Sequence, residues 1–336
     1  MTKVQPTTNT ALSVARPDTA GHATPNQRAW RRFKRNRLAV WSLRFVALLI
    51  LLIISWPICL RVVSASGKAG SQWVQGRYPE QLSDDQFQKP SARHWLGTDV
   101  HGRDLFSRVI SGAQVSLLVG LVGTTVSLVI GVLWGATAGY AGGKLDSALM
   151  RLVDILYSLP SIIFVIVLIT TLEGVLGKWF DAMGIVSLRG TTRLLLLVVG
   201  LGSVSWLNMA RIVRGQVLSL KERAFVEASR ALGAGPIRIL ARHIVPHTLG
   251  VVIVYLTLTV PAIMLYESFL SYLGLGIQPP MASWGTLIAE GADQINPIRI
   301  YWWLIVFPGF LLIFTMLALT FVGDGLRDAW DVRGEE

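Results

Sequence analysis

Six stretches of this chain run for about 20 residues with almost no charge, and polar segments separate them. Val115–Gly143, Leu194–Ala210 and His247–Tyr266 contain no Asp, Glu, Lys or Arg at all. A helix rises 1.5 Å per residue, so about 20 apolar residues cross a hydrocarbon layer of ~30 Å. The pattern predicts an all-α polytopic membrane protein with six transmembrane helices near 40–60, 115–140, 153–172, 193–211, 247–267 and 301–323. Pro57, Pro160, Pro261, Pro308, Gly200 and Gly202 fall inside these spans, where such residues mark kinks or close packing. Between the spans, residues 1–25 lack any apolar period and are expected to be a disordered tail. Residues 26–60 combine a basic interfacial segment with the first span, and 61–111 form a polar outer region. Residues 112–323 hold a core of five further helices with an inner loop at 212–246, and 324–336 close the chain as a polar tail.

Charge sets the expected orientation. The formal net charge of +11 is uneven, because residues 1–37 carry eight Lys/Arg against a single acid, Asp18. A basic block just before a first span keeps that end inside, which places both termini on the inner side. Such a block also touches anionic lipid, and this reading displaces nucleic-acid binding for the Trp30–Phe33 region. Trp30-Arg31-Arg32-Phe33-Lys34 faintly resembles a twin-arginine export signal, but five later spans and the lack of a small-x-small cleavage site make span one an anchor. Arg44 is expected to snorkel to the inner surface. The lone Cys59 rules out a disulfide within the chain and reads as a small apolar residue in the outer half of span one.

Several chemistries lack their residues. There is no G-x-x-x-x-G-K-[ST], since Ala141-Gly142-Gly143-Lys144-Leu145 has neither the glycine spacing nor the hydroxyl, so ATP hydrolysis is not expected here. H-E-x-x-H and G-x-S-x-G are missing too. His243 and His247 are four apart, yet Pro246 interrupts their helix and no acid or cysteine lies nearby in sequence, which favours a structural or interfacial role over a metal. Asp154 follows Arg151 by three residues, as an ion pair on one helix face would. Glu267 ends span five, and the sequence leaves open whether it faces a pathway or only closes the span. No internal repeat is visible, so the second half that many single-chain transporters carry would have to come from another subunit.

Two segments have a readable grammar. In Phe225–Pro246, FVEASRALGAGPIRILARHIVP, Ser219 and Glu222 are spaced as a capping box for a helix start. Leu220, Ala224, Ala228, Ala231 and Leu232 then share one face of mostly small side chains. Gly233 suits a left-handed helix end and Pro236 the first turn of a second short helix. A small-faced helix on a tight turn fits the groove of a partner. Glu227-Ala228-Ser229, with Gly233 six residues after Glu227 and then Pro246, resembles the cytoplasmic "EAA" loop of importer-type ABC transporter permeases. The second segment, Leu96-Gly97-Thr98-Asp99 with Gly102-Arg103-Asp104 and Ser107-Arg108, reads as a tight turn leading into an interfacial helix. It resembles a signature of the C-type permeases of dipeptide and oligopeptide importers. Its charges hold the elbow or meet an external partner, and both readings stay open.

The resemblance extends over about residues 28–332, through GGKLD at 142–146, ESFLSYLGLG at 267–276, SWGTLIAEGA at 283–292 and GDGLRDAWD at 323–331. Ser229 replaces a second alanine, and His243 stands where many permeases have isoleucine. The resemblance implies the importer-type ABC permease fold in a bacterial inner membrane, with no catalysis in this chain. It implies a B-type second permease, two ATP-binding subunits carrying ATP and Mg, and an extracytoplasmic solute-binding protein as partners. The implied cargo is short peptides. Nickel or another small solute is the alternative within this class, and a proton-coupled secondary transporter is the rival outside it.

Overall fold

The protein is described here by a computed structural model covering residues 25–66, 74, 77–182, 189–279 and 281–330. The expected disordered tail falls outside these residues, apart from Pro25. Among the described residues, eleven α-helices account for most of the fold: α1 (Pro25–Arg35), α2 (Arg37–Ala65), α3 (Leu105–Ala141), α4 (Gly143–Tyr157), α5 (Ser161–Ala182), α6 (Arg189–Leu220), α7 (Ala224–Ala231), α8 (Pro236–Ile239), α9 (Val245–Tyr272), α10 (Trp284–Asp293) and α11 (Trp303–Trp330). A π-turn at Leu240–Ile244 joins α8 to α9.

The bundle is organised on α3 and α6. Helix α3 has 37 residues and so extends about 55 Å. Gly131, Gly135 and Gly139 recur every fourth residue and lie on one face. A Cβ at any of them would run into Met209, into Ala210 and Val213, or into Arg214 and Val217 of α6. Lipid tails are as apolar as leucine, so membrane helices gain little from hiding apolar surface and associate through close contact, which small residues at four-residue spacing allow. Further along the seam Gly202 of α6 meets Val126 in the same way. Helix α9 packs on another face of α3, where Gly120 accommodates Val260 and Met264. Helix α2 buries only Ala39, Leu49, Ile53 and Leu60 and exposes Leu48, Leu51 and Ile54, as a peripheral helix facing lipid does. Helix α1 does more than lie at an interface: Ala29 and Phe33 are buried against Leu326, Ala329 and Trp330 of α11. The first and last helices therefore meet at one end of the bundle.

Five of the expected spans are unbroken helices long and apolar enough to cross a membrane, but the third is not. Helices α4 and α5 meet at an 89° bend over Ser158–Pro160. Proline has no N–H and disfavours a helical residue before it, so Pro160 ends α4 and starts α5. Helix α11 runs on to Trp330, into residues that the sequence suggests as tail. Arg44 stacks over Trp41, one turn back toward the start of α2, at 5.1 Å from the ring centre. Asp154 is paired with Arg211 of α6 at 2.7 Å rather than with Arg151 on its own helix. Asp146 makes a bidentate pair with Arg214, both bonds at 2.6 Å. The expected intrahelical pair is replaced because α4 lies along α6, and the α6 guanidinium groups reach both carboxylates.

The seam gives a direct stability expectation. Gly135→Val should destabilise the protein by about 1–3 kcal/mol or more, as overpacking does, read as a lower thermal midpoint in detergent. Gly309→Ala, where a Cβ meets nothing within 4 Å, should leave that midpoint unchanged or raise it.

Candidate functional sites

At the end of the bundle where α1 and α11 meet, α6 leads into the loop built from α7 and α8. The capping box is not formed. Helix α6 continues through Ser219 to Leu220, and α7 is preceded by Arg223 in an extended conformation with no side-chain cap. Packing overrides the local signal: Val217 is fully buried in the seam, and Lys221 donates to the Gly139 carbonyl at 3.3 Å, which holds the last turn of α6 in place. The far end of α7 matches the sequence grammar. Gly233 has φ +80°. Its N–H bonds the Arg230 carbonyl at 2.9 Å, and the Ala234 N–H bonds the Ser229 carbonyl at 3.0 Å, the paired closure of a left-handed helix end. Pro236 opens α8 and Pro246 sits in the first turn of α9.

Val226, Ile239 and Ile244 anchor this loop in the core, and His247 stacks on Phe225 with ring centres 5.0 Å apart. The opposite face is bare. Glu227, Ala228, Gly233 and Pro236 are exposed, Ser229 is half-buried, and Leu232 and Ile237 are 88% and 81% accessible. Two bulky apolar side chains held out on a rigid loop are a surface made for cover.

The elbow at the other end is closed on itself. Asp99 accepts from the backbone N–H groups of His101 and Arg103, and from the guanidinium groups of Arg103 and Arg108, each at 2.7 Å. Arg108 also donates to Glu290 on α10, one bond being 3.0 Å, and Arg103 reaches the same carboxylate at 3.3 Å. Asp104 caps α3 by accepting from the Ser107 N–H and pairs with His94 at 3.0 Å. The Thr98 hydroxyl accepts from the Gln88 N–H at 2.8 Å, while the Trp303 indole donates to the Thr98 carbonyl. Gly102 has φ +69°, and a side chain there would collide with the Ser83 carbonyl, while Gly97 lies against Gln88 and Trp303. Asp99, Asp104 and Arg108 are at most 3% exposed, so these charges hold the elbow to α10 and α11.

Glu267 is fully buried. Ser271 donates to it at 2.7 Å, and Ser116 of α3 lies 3.4 Å away while accepting from the Trp284 N–H at the start of α10. The carboxyl group thus joins three helices through hydroxyls in this conformation.

A cleft that sequence reading missed opens where the third span breaks. It holds about 520 Å³ between Tyr157–Ser161, α6 and α9. Ser205 and Asn208 line it from α6, and Tyr255, Thr259 and Tyr266 from α9. Its depth follows from the seam: Met209 packs on Gly131, midway along the uncharged run of α3. Asn208 inside an uncharged span was the available signal, as was the Gly131-Gly135-Gly139 spacing for the seam.

A helical membrane subunit with an apolar loop face at one end, a sealed elbow at the other and a polar cleft between them belongs to the class of transport permeases. The sequence comparisons define that class. The binding-protein-dependent transport system inner membrane component family matches residues 131–333, and the N-terminal transmembrane domain of oligopeptide transport permease C matches residues 24–60. The chain belongs to the binding-protein-dependent transport system inner membrane component family. It is 39% identical to the dipeptide transport system permease protein DppC of Bacillus subtilis, over 96% of this chain and 88% of that one. It is 43% identical to the oligopeptide transport system permease protein OppC of Escherichia coli, over 91% of this chain and 90% of that one. Among solved structures, a chain of the MetNI methionine ABC transporter in an inward-facing conformation aligns at 23% identity and a TM-score of 0.46, over 66% of this chain and 93% of that one.

The elbow network predicts a large effect from one residue. Arg108→Ala leaves Asp99 buried with one of its two guanidinium partners, and breaking such a pair costs about 3–5 kcal/mol. Arg108→Lys should recover only part of this, since an ammonium cannot bridge Asp99 and Glu290 as a planar fork does. Thermal unfolding in detergent measures both, and equal stability of Arg108→Ala and the parent would contradict the network.

Proposed function

We propose that this chain is the membrane permease subunit of an ATP-driven importer of short peptides and forms the translocation pathway with a second, B-type permease. One observation carries the assignment: the exposed small-residue and apolar face of α7 and α8, with Leu232 and Ile237 held out of the protein on a rigidly capped loop. This face is the docking surface for an ATP-binding subunit. ATP and Mg reside on the two ATP-binding subunits, which perform the hydrolysis, and this chain contributes no catalytic group. An extracytoplasmic solute-binding protein delivers cargo to the elbow end. The basic block of α1 and the loop then lie on the cytoplasmic side of a bacterial inner membrane, with both termini. Residues 61–111 lie outside, 212–246 inside, and 112–323 form the permease core. The peptide reading is supported by dipeptide and oligopeptide transport permeases that are near 40% identical over nine-tenths of the chain.

Mechanically, the loop is continuous with α6, and α6 is keyed to α3 along the glycine seam. Closure of the ATP-binding subunits moves α7 and α8. The motion passes to α6, and the Arg211–Asp154 and Arg214–Asp146 pairs carry it to α4 and the break at Pro160. The cleft beside the break then opens alternately to each side.

Two experiments test this function. Ala228→Trp changes an exposed position, so the subunit should still fold and insert, while co-purification of the ATP-binding subunits falls at least about tenfold. Unchanged co-purification and uptake would remove the docking face. Proteoliposomes holding the whole complex and its binding protein should accumulate a labelled dipeptide or oligopeptide only with ATP. Accumulation of nickel without peptide would replace the cargo and leave the permease assignment standing.

A further inference from the structure

The cleft at the broken span has a lining unlike the rest of the membrane-depth surface. Ser158, Leu159, Pro160 and Asn208 are exposed in this subunit. Irregular backbone at that depth is tolerated only where it is covered by protein or meets water. An exposed carboxamide facing lipid is similarly unfavourable. This face is therefore turned toward the aqueous path or the second permease, and its chemistry says what it can hold.

Every polar group in the lining is uncharged. Ser205 donates its hydroxyl proton to the Leu201 carbonyl at 3.0 Å and Thr259 to the Tyr255 carbonyl at 2.8 Å, so both keep lone pairs free to accept. Asn208 faces the same cleft as the Tyr255 phenol, and a carboxamide offers two donors and an acceptor. Beside the lining residue Tyr157, Arg211 pairs with Asp154 at 2.7 Å, with its guanidinium stacked over the Tyr157 ring at 4.2 Å. A wall of uncharged donors and acceptors matches alternating N–H and C=O groups. It offers nothing to select a charged side chain and no ligand set for a metal ion.

We propose that this cleft is a solute-contact site that reads the backbone amides of an extended peptide, with Asn208 pairing to one amide and Ser205 and Thr259 accepting from neighbouring N–H groups. The site rests on the peptide reading above. It explains how a permease passes peptides of differing side chains, because it recognises the part they share. The cavity of about 520 Å³ lies within the ~300–1,000 Å³ of small-molecule sites, enough for a short stretch of chain.

The test uses the reconstituted complex with its binding protein, a tripeptide, and the same tripeptide N-methylated at its central amide. In the parent complex the ratio of the two kcat/KM values combines discrimination by the binding protein and by the cleft. Asn208→Leu should lower kcat/KM for the unmethylated peptide about five- to tenfold, the effect of one lost hydrogen bond, and should narrow the ratio by a similar factor. Asn208→Gln should restore part of both. An unchanged ratio in Asn208→Leu would overturn the site, even if overall uptake falls. Should Asn208→Leu fail to assemble, a Ser205→Cys variant in a Cys59→Ser background gives a second reading. Its thiol should react with a membrane-impermeant maleimide, and saturating peptide with ATP should slow that reaction at least about fivefold. No reaction would show the cleft filled by the second permease, and reaction indifferent to peptide would show a bare channel wall; either overturns the proposal. A parent complex that moves no peptide would instead refute the peptide function itself.

Discussion

The seam between α3 and α6 is the contact on which the other features depend. Gly131, Gly135 and Gly139 let the two helices approach backbone to backbone, with Met209, Ala210, Val213 and Val217 closing the gap. In lipid there is little apolar surface to hide, so this closeness and its dispersion energy hold the pair together. A helix so fixed cannot bend freely. Helix α6 therefore delivers its end, and the loop that follows, at a defined place below the bundle. The same rigidity sets Asn208 and Ser205 opposite the break in the third span.

The two ends of the bundle are built for different work. At the elbow, charge is turned inward: Asp99, Arg103, Arg108 and Glu290 satisfy one another, and Asp104 is divided between a helix cap and His94. Breaking such a buried, paired cluster is costly, which holds the elbow in one geometry. At the loop end, apolar side chains are turned outward instead. The loop has only three deep anchors, Val226, Ile239 and Ile244, with two bulky residues bare. One end turns its charges inward, and the other leaves Leu232 and Ile237 exposed. Between them, the irregular backbone at Ser158–Pro160 and the exposed Asn208 carboxamide sit where contact with lipid is unfavourable.

Much of this was legible in the sequence because the membrane simplifies the code. Uncharged runs located five spans, and Gly233 and Pro236 announced the turn between α7 and α8 through backbone constraints that need no tertiary knowledge. Other signals were overridden. Ser219 and Glu222 have the spacing of a helix start, yet α6 continues past them because the seam holds Val217 and Lys221. Asp154 and Arg151 have the spacing of an ion pair, yet the stronger partner comes from another helix. Pro160 was visible, but a proline inside a span is read equally well as a kink, and only the packing of α4 along α6 turns it into an 89° break. The Arg103–Asp99–Arg108–Glu290 cluster joins residues about 190 apart in sequence, a link that no local pattern carries.

In the transport mechanism proposed above, α3 and α6 move as one body while the chain flexes at Pro160. Spin labels at Val129 and Val199, on exposed faces of α3 and α6, report the body. Labels at Leu152 and Ile163, on either side of the break, report the hinge. Pulsed-EPR distances on the whole complex, nucleotide-free and then trapped with a non-hydrolysed ATP analogue, give the comparison. The Val129–Val199 distance should be the same in both states and the Leu152–Ile163 distance should change. A change across the seam as large as that across the break, or a break distance that stays fixed while the seam distance moves, would contradict that mechanism.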